Sequence, residues 1–175
     1  MAGQTAWRHL RAIATLPGVA ILVVPGVILA GRGGWRGLTH VSPALQLALI
    51  AAGVALAALG LALMTKTISL FVRVGQGTLA PWDPPEKFVV RGIYRRVRNP
   101  MITGVVLLLL AEAALFASPA LLAWLAAFAV ANLLWIPLVE EPALVRRFGD
   151  LYQDYRLHVP RWIPRATPWD PPPGS

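Results

Sequence analysis

Residues 44–64 read ALQLALIAAGVALAALGLALM. No charge interrupts this stretch, and a helix of about 20 such residues is what the ~30 Å hydrocarbon layer of a bilayer requires. The rest of the chain agrees. Of its 175 residues, 57% are hydrophobic and 14% charged, with a mean hydropathy of +0.61. Soluble domains carry nearer a quarter charged residues. The apolar residues also cluster into long runs, which points to a membrane rather than to a large water-soluble core.

Three further runs have comparable length, at about 13–30, 101–117 and 119–138. The first follows Arg8 and Arg11 in a layout that resembles a signal peptide. It is long enough to span, and no clear small-residue cleavage site in a polar region comes after it, so it reads as a first membrane helix. Pro17 and Pro25 lie within it, which membrane helices tolerate. In the second run, Ala51, Ala52, Ala55 and Gly60 would permit close helix packing. Ser118 and Pro119 separate the last two runs into a tight helical hairpin. Pro100 suits the first turn of the third helix, where its missing N–H has no partner to lose. The expected fold is one all-α integral-membrane domain over 1–175. It has about four transmembrane helices and a C-terminal amphipathic helix, and residues 166–175 are expected to be without structure.

Charge sets the orientation. Segments 65–100 and 139–175 hold twelve Lys and Arg, whereas the loop 31–43 holds only Arg32 and Arg36. The positive-inside rule then puts both termini and both long segments on the cytoplasmic side, in a bacterial cytoplasmic membrane. The net charge of +8 flanks hydrophobic runs, so it addresses anionic headgroups rather than nucleic acid. With no cysteine, disulfides, thiolate catalysis and cysteine metal sites are excluded. His9, His40 and His158 have no metal-ligand spacing, so no metal is expected.

Four features carry possible chemistry. The stretch 94–104, YRRVRNPMITG, sets Arg95, Arg96 and Arg98 against the start of an apolar helix. They are either interfacial anchors, or Arg98, Asn99 and the free helix-start amides face a polar or anionic ligand. Glu140 and Glu141 stand at a membrane edge before Pro142. They either open a tail helix as first-turn acids or meet a cationic ligand. From there Leu144, Phe148, Leu151, Tyr152 and Tyr155 recur at helical spacing as one apolar-aromatic face. Glu112 lies eleven residues past Met101, about 16 Å into the third helix. It either bonds Asn132 of the fourth helix as interhelical glue or joins Asn132 and Trp135 in a substrate cavity. Trp82, Trp135, Trp162, Tyr94, Tyr152 and Tyr155 form an aromatic belt, or some of them line a cofactor pocket. The stretch PWDPP occurs at 81–85 and again at 168–172, and no role is assigned to the echo.

The order GIYRRVRNPMITG, a helical hairpin, then EE-x-x-L-x-x-x-FG-x-x-Y-x-x-Y-x-x-x-VPR-x-IP resembles the integral-membrane methyltransferases. These are the isoprenylcysteine carboxyl and phospholipid N-methyltransferases. Their usual signature is R-H-P-x-Y-x-G, with a Glu-Glu pair one hairpin later. The likeness covers about residues 75–165. It implies S-adenosylmethionine as cofactor, held by Tyr94, Arg98, Asn99, Pro100, Gly104, Glu140, Glu141, Tyr152 and Tyr155. Glu141 and Asn99 are the candidate catalytic residues. A lipophilic or lipid-like acceptor would enter from the bilayer, and the cofactor from the cytosol. Two positions depart from the signature. Asn99 replaces its histidine and cannot take a proton at neutral pH; Ile102 replaces its tyrosine. An acceptor already nucleophilic when bound, such as a carboxylate or thiolate, fits Asn99 better than an amine. The alternatives are a nicotinamide-dependent membrane reductase on a similar scaffold and a non-enzymatic membrane subunit.

Overall fold

The structure is a computed structural model that describes residues 17–31, 41–70, 73, 88 and 90–171. Among these residues the regular structure is helical, with no strand. Helix α1 (Val19–Gly31) opens with a wide π turn over Val19–Val23. Helix α2 spans Pro43–Leu70, α3 spans Pro100–Leu115, α4 spans Pro119–Phe148 and α5 spans Asp150–His158. A short 3-10 turn, Gly92–Arg95, precedes α3.

Two of these helices, α2 and α4, are long and apolar enough to cross a membrane; α1 and α3 are shorter apolar helices. In α2 only 17% of the most apolar window is buried, and in α4 only 6%. A core helix of a soluble protein would be mostly buried. Here Leu22, Leu47, Leu61, Leu134 and Leu138 all face outward, as helices solvated by lipid present themselves.

The bounds differ from expectation at both polar ends. Helix α2 runs six residues past Met64 to Leu70. Helix α4 does not stop at 138. It passes through a π turn, Ile136–Glu140, and continues as α-helix to Phe148. Glu140 and Glu141 therefore do not open a separate tail helix. The expected single amphipathic helix is two helices, because Gly149 adopts φ +56 and breaks the rod before α5. Residues 13–16 of the first expected span lie outside the described residues.

Packing of α2 on α3 dominates, and glycine makes it possible. A Cβ on Gly60 would come within 2.9 Å of the Gly104 carbonyl oxygen, and one on Gly104 within 2.8 Å of Met64 Cγ. Gly53 sits likewise against Leu115. Ala51, Ala52 and Ala55 point away from this contact and are exposed, so of the four expected packing residues only Gly60 serves. Val105, Leu108 and Leu109 of α3 then fill the centre with Met64 and Ala20.

The hairpin between α3 and α4 is tight. Ser118 caps α4, its hydroxyl accepting from Leu121 N–H at 3.4 Å. Its own N–H donates back to Ala113 O at 3.1 Å while Ala117 takes φ +44, a Schellman-type stop for α3. Helix α1 is fastened by a different device. In its π turn Val24 N–H bonds Val19 O. Continued, that pattern would pair Ala20 O with residue 25, but Pro25 has no N–H. Trp124 of α4 supplies the donor, Nε1 to Ala20 O at 3.0 Å.

Candidate active site

The polar end of the bundle gathers chain from three places. Arg98 and Asn99 end the 91–99 segment just before Pro100 starts α3, with Pro100 buried at its first turn. Asn99 O accepts from the backbone and hydroxyl of Thr103, at 3.1 and 3.0 Å, closing the first turn. Glu141 comes from α4. The π turn before it inserts one extra residue, which rotates the downstream part of the helix by about 100°. Glu141 thereby points inward and is buried, while Glu140 is exposed.

Glu141 is held by two guanidinium groups. Arg98 Nη1 donates to Oε1 at 2.9 Å. Arg161 donates twice, Nε to Oε1 at 2.7 Å and Nη2 to Oε2 at 3.0 Å. The Arg98 and Glu141 side chains are 10% and 8% exposed, so this pair is hidden from water. The group carries one net positive charge, and Arg98 Nε is buried with no hydrogen-bond partner. Its bonds to Glu141 push Arg161 further up from its already high pKa.

Aromatic side chains wall the group. Tyr152 and Tyr155 on α5 are buried and pack with Phe88, whose ring lies 5.7 and 5.1 Å from theirs. Tyr155 donates its hydroxyl to Tyr94 O at 2.7 Å. Burial pushes all three tyrosines above their ordinary pKa. For Tyr152, Glu141 adds to the rise and Arg98 opposes it.

The segment after α5 crosses back over this end as a strap. Arg98 N–H donates to Pro160 O at 2.9 Å and Asn99 N–H to Arg161 O at 3.3 Å. Arg165 N–H donates to Arg96 O at 3.0 Å and Trp169 N–H to Arg95 O at 2.8 Å. Arg96 donates to the carbonyls of Arg165 and Ala166, and Arg95 to Trp169 O and the Asp170 carboxylate. The Trp169 ring stacks on His158 at 5.3 Å and touches Tyr155 at 5.9 Å. Residues 166–171 are thus docked, contrary to the expectation of a tail without structure from 166; residues 172–175 lie outside the described part. The second PWDPP copy includes the docked Trp169–Asp170; the first, 81–85, lies outside the described residues.

Of the residues singled out in the sequence, Tyr94, Arg98, Asn99, Pro100, Glu141, Tyr152 and Tyr155 come together here. Gly104 lies one turn into α3, at the crossing with Gly60. Glu112, Asn132 and Trp135 do not gather. Asn132 donates its amide to Phe128 O at 2.8 Å within its own helix, and Glu112 Oε2 is buried with no partner. Helical rise explains the missed bond. Glu112 lies three residues from the hairpin end of α3 and Asn132 thirteen residues into α4, so about 15 Å of depth separates them. Trp135 is 55% exposed on the outer face. Sequence reasoning missed Arg161 and Trp169 as parts of this end, although Arg161 stands in the VPR-x-IP element.

A helical membrane bundle with Arg98–Asn99–Pro100 on one helix start, and Glu141 facing it from across a hairpin, has the organisation of a membrane methyltransferase. The profile of the phospholipid methyltransferase family matches residues 48–151, more than half of the chain, and the chain belongs to that family. It is also 40% identical over 76 residues to methanethiol S-methyltransferase 2 of Bradyrhizobium diazoefficiens. That match covers 42% of this chain and 27% of the relative, so the chain corresponds to only about a quarter of that protein's length. No solved structure matches the chain.

Proposed function

We propose that the chain transfers a methyl group from S-adenosylmethionine to a small lipophilic acceptor at the polar end of the bundle, on the cytoplasmic side of the membrane. The observation that carries this reading is the buried Arg98–Glu141 pair with Arg98 Nε left unpartnered. Glu141 Oε2 accepts one hydrogen bond, from Arg161, and a carboxylate oxygen has room for two. One donor and one acceptor of opposite charge side by side suit a zwitterionic amino-acid end. Glu140, exposed on the preceding position, adds a carboxylate for the ammonium. The α3 N-terminus favours a carboxylate. The wall of Tyr94, Tyr152 and Tyr155 suits an adenine and a sulfonium.

The cofactor supplies an electrophilic methyl group, so what remains for the protein is alignment and exclusion of water. Asn99 can hydrogen-bond but cannot deprotonate an amine. That favours an acceptor that is nucleophilic without such help, and a thiolate is the simplest. The name of the Bradyrhizobium relative, a methanethiol methyltransferase, supports a small thiol. The charge asymmetry supports the cytoplasmic placement. We take α1 and α3 to span together with α2 and α4, since both are apolar helices packed against those two.

Calorimetric titration of S-adenosylmethionine into the detergent-solubilised protein tests the cofactor. Saturable binding that is lost in the double variant Glu140→Ala/Glu141→Ala is expected. Absence of binding by folded protein sinks the reading. Transfer of labelled methyl to methanethiol, and not to an amine lipid, is expected of the acceptor specificity.

A further inference from the structure

Arg161 lies outside the residues matched by the family profile, which end at 151. It nonetheless makes two of the three hydrogen bonds that fix Glu141. Arg98 grips that carboxylate through a single nitrogen, which leaves its plane free to turn. Arg161 grips both oxygens, which sets the plane.

Arg161 is itself held in register with the residues opposite. Its carbonyl accepts from the backbone N–H of Asn99 at 3.3 Å and from Asn99 Nδ2 at 3.4 Å, while Pro160 O accepts from Arg98 N–H. Arg98, Asn99, Glu141 and Arg161 thus form a closed ring. The strap does not need the Arg161 guanidinium to dock, because Arg95, Arg96 and Trp169 fasten it independently. The guanidinium is also 32% exposed, unlike a group buried for packing alone.

Building on the cofactor reading above, we propose that Arg161 is a positioning residue. It orients the Glu141 carboxylate so that the free lone pair of Oε2 meets the amino-acid end of the cofactor. The C-terminal strap is therefore part of the binding site and not only a cover.

The test compares two ligands that share an adenosine thioether. S-Adenosylhomocysteine carries the amino-acid end and 5′-methylthioadenosine lacks it. Both are titrated into wild type, Arg161→Gln and Arg161→Lys in detergent. The expected result is that Arg161→Gln weakens S-adenosylhomocysteine roughly tenfold or more, the scale of one charged hydrogen bond, and shifts 5′-methylthioadenosine less than about twofold. Arg161→Lys, which keeps the charge without the two-pronged grip, falls between. Retained 5′-methylthioadenosine binding also reports that the variant is folded. Equal weakening of both ligands, or no change in either, overturns the positioning role while leaving the cofactor reading intact. Wild type that binds neither ligand removes both readings together.

Discussion

Arg98 and Glu141 lie 43 residues apart in sequence and meet at 2.9 Å, with both side chains almost wholly out of water. Removing one partner of a buried pair leaves the other charge uncompensated, at a cost of about 3–5 kcal/mol. Glu141→Ala strands two guanidinium groups, whereas Arg98→Ala leaves Glu141 with Arg161. We therefore expect both to lower the thermal midpoint in detergent, with Glu141→Ala the more damaging. The reverse order would mean that Arg161 is not a true second partner.

The Gly60–Gly104 crossing makes an asymmetric prediction. A methyl at Gly60 meets the Gly104 carbonyl oxygen at 2.9 Å and Leu108 Cγ at 3.0 Å. Backbone cannot step aside, so α2 and α3 must part, at about 1–3 kcal/mol. A methyl at Gly104 meets Met64 Cγ at 2.8 Å, which can rotate away, and stands farther from backbone, at 3.2 Å from the Gly60 carbonyl oxygen. Gly60→Ala should thus destabilise more than Gly104→Ala in denaturant titrations.

Trp124→Phe keeps the ring and removes the donor to Ala20 O. Because Pro25 cannot replace that donor, the carbonyl is left unpaired inside the bundle, costing about 1–2 kcal/mol on the scale of interhelical hydrogen bonds in membranes. The expected readout is a lowered midpoint with faster proteolysis of α1. An unchanged midpoint would show that another donor reaches Ala20 O.

All three tyrosines of the chain have hydroxyl pKa values raised by burial. A group raised in the folded state stabilises fully below its unfolded pKa, here about 10, and that stabilisation is lost as pH climbs beyond it. Tyrosinate absorbance should therefore appear only together with loss of tertiary structure, above pH ~10. Ionisation near that pH with the fold intact would contradict the buried arrangement of Tyr152 and Tyr155.

Apolar run length made the helices legible in the sequence, and Pro100 and Ser118–Pro119 marked two of their starts. The Arg98 and Glu141 motifs also pointed to side chains that meet in space. What escaped was geometry that residue types do not encode. One extra residue in the π turn at 136–140 decides that Glu141, and not Glu140, is the carboxylate that Arg98 and Arg161 hold. The register of the hairpin decides that Glu112 and Asn132 pass at different depths. Arg161 and Trp169 escaped for a third reason. Their partners lie in the 95–99 segment, on α4 and on α5, so no local periodicity announces them.

The strap has a consequence for how the molecule is made. Its side-chain bonds to Arg95, Arg96 and Asn99 join residues 62 to 75 apart. Synthesis proceeds from the N-terminus, so α1 to α4 leave the ribosome while Glu141 has only Arg98 to neutralise it. The second guanidinium arrives afterwards. Sealing of the polar end therefore follows the appearance of the helices, because the second half of the carboxylate's clamp is the last part of the site to be made.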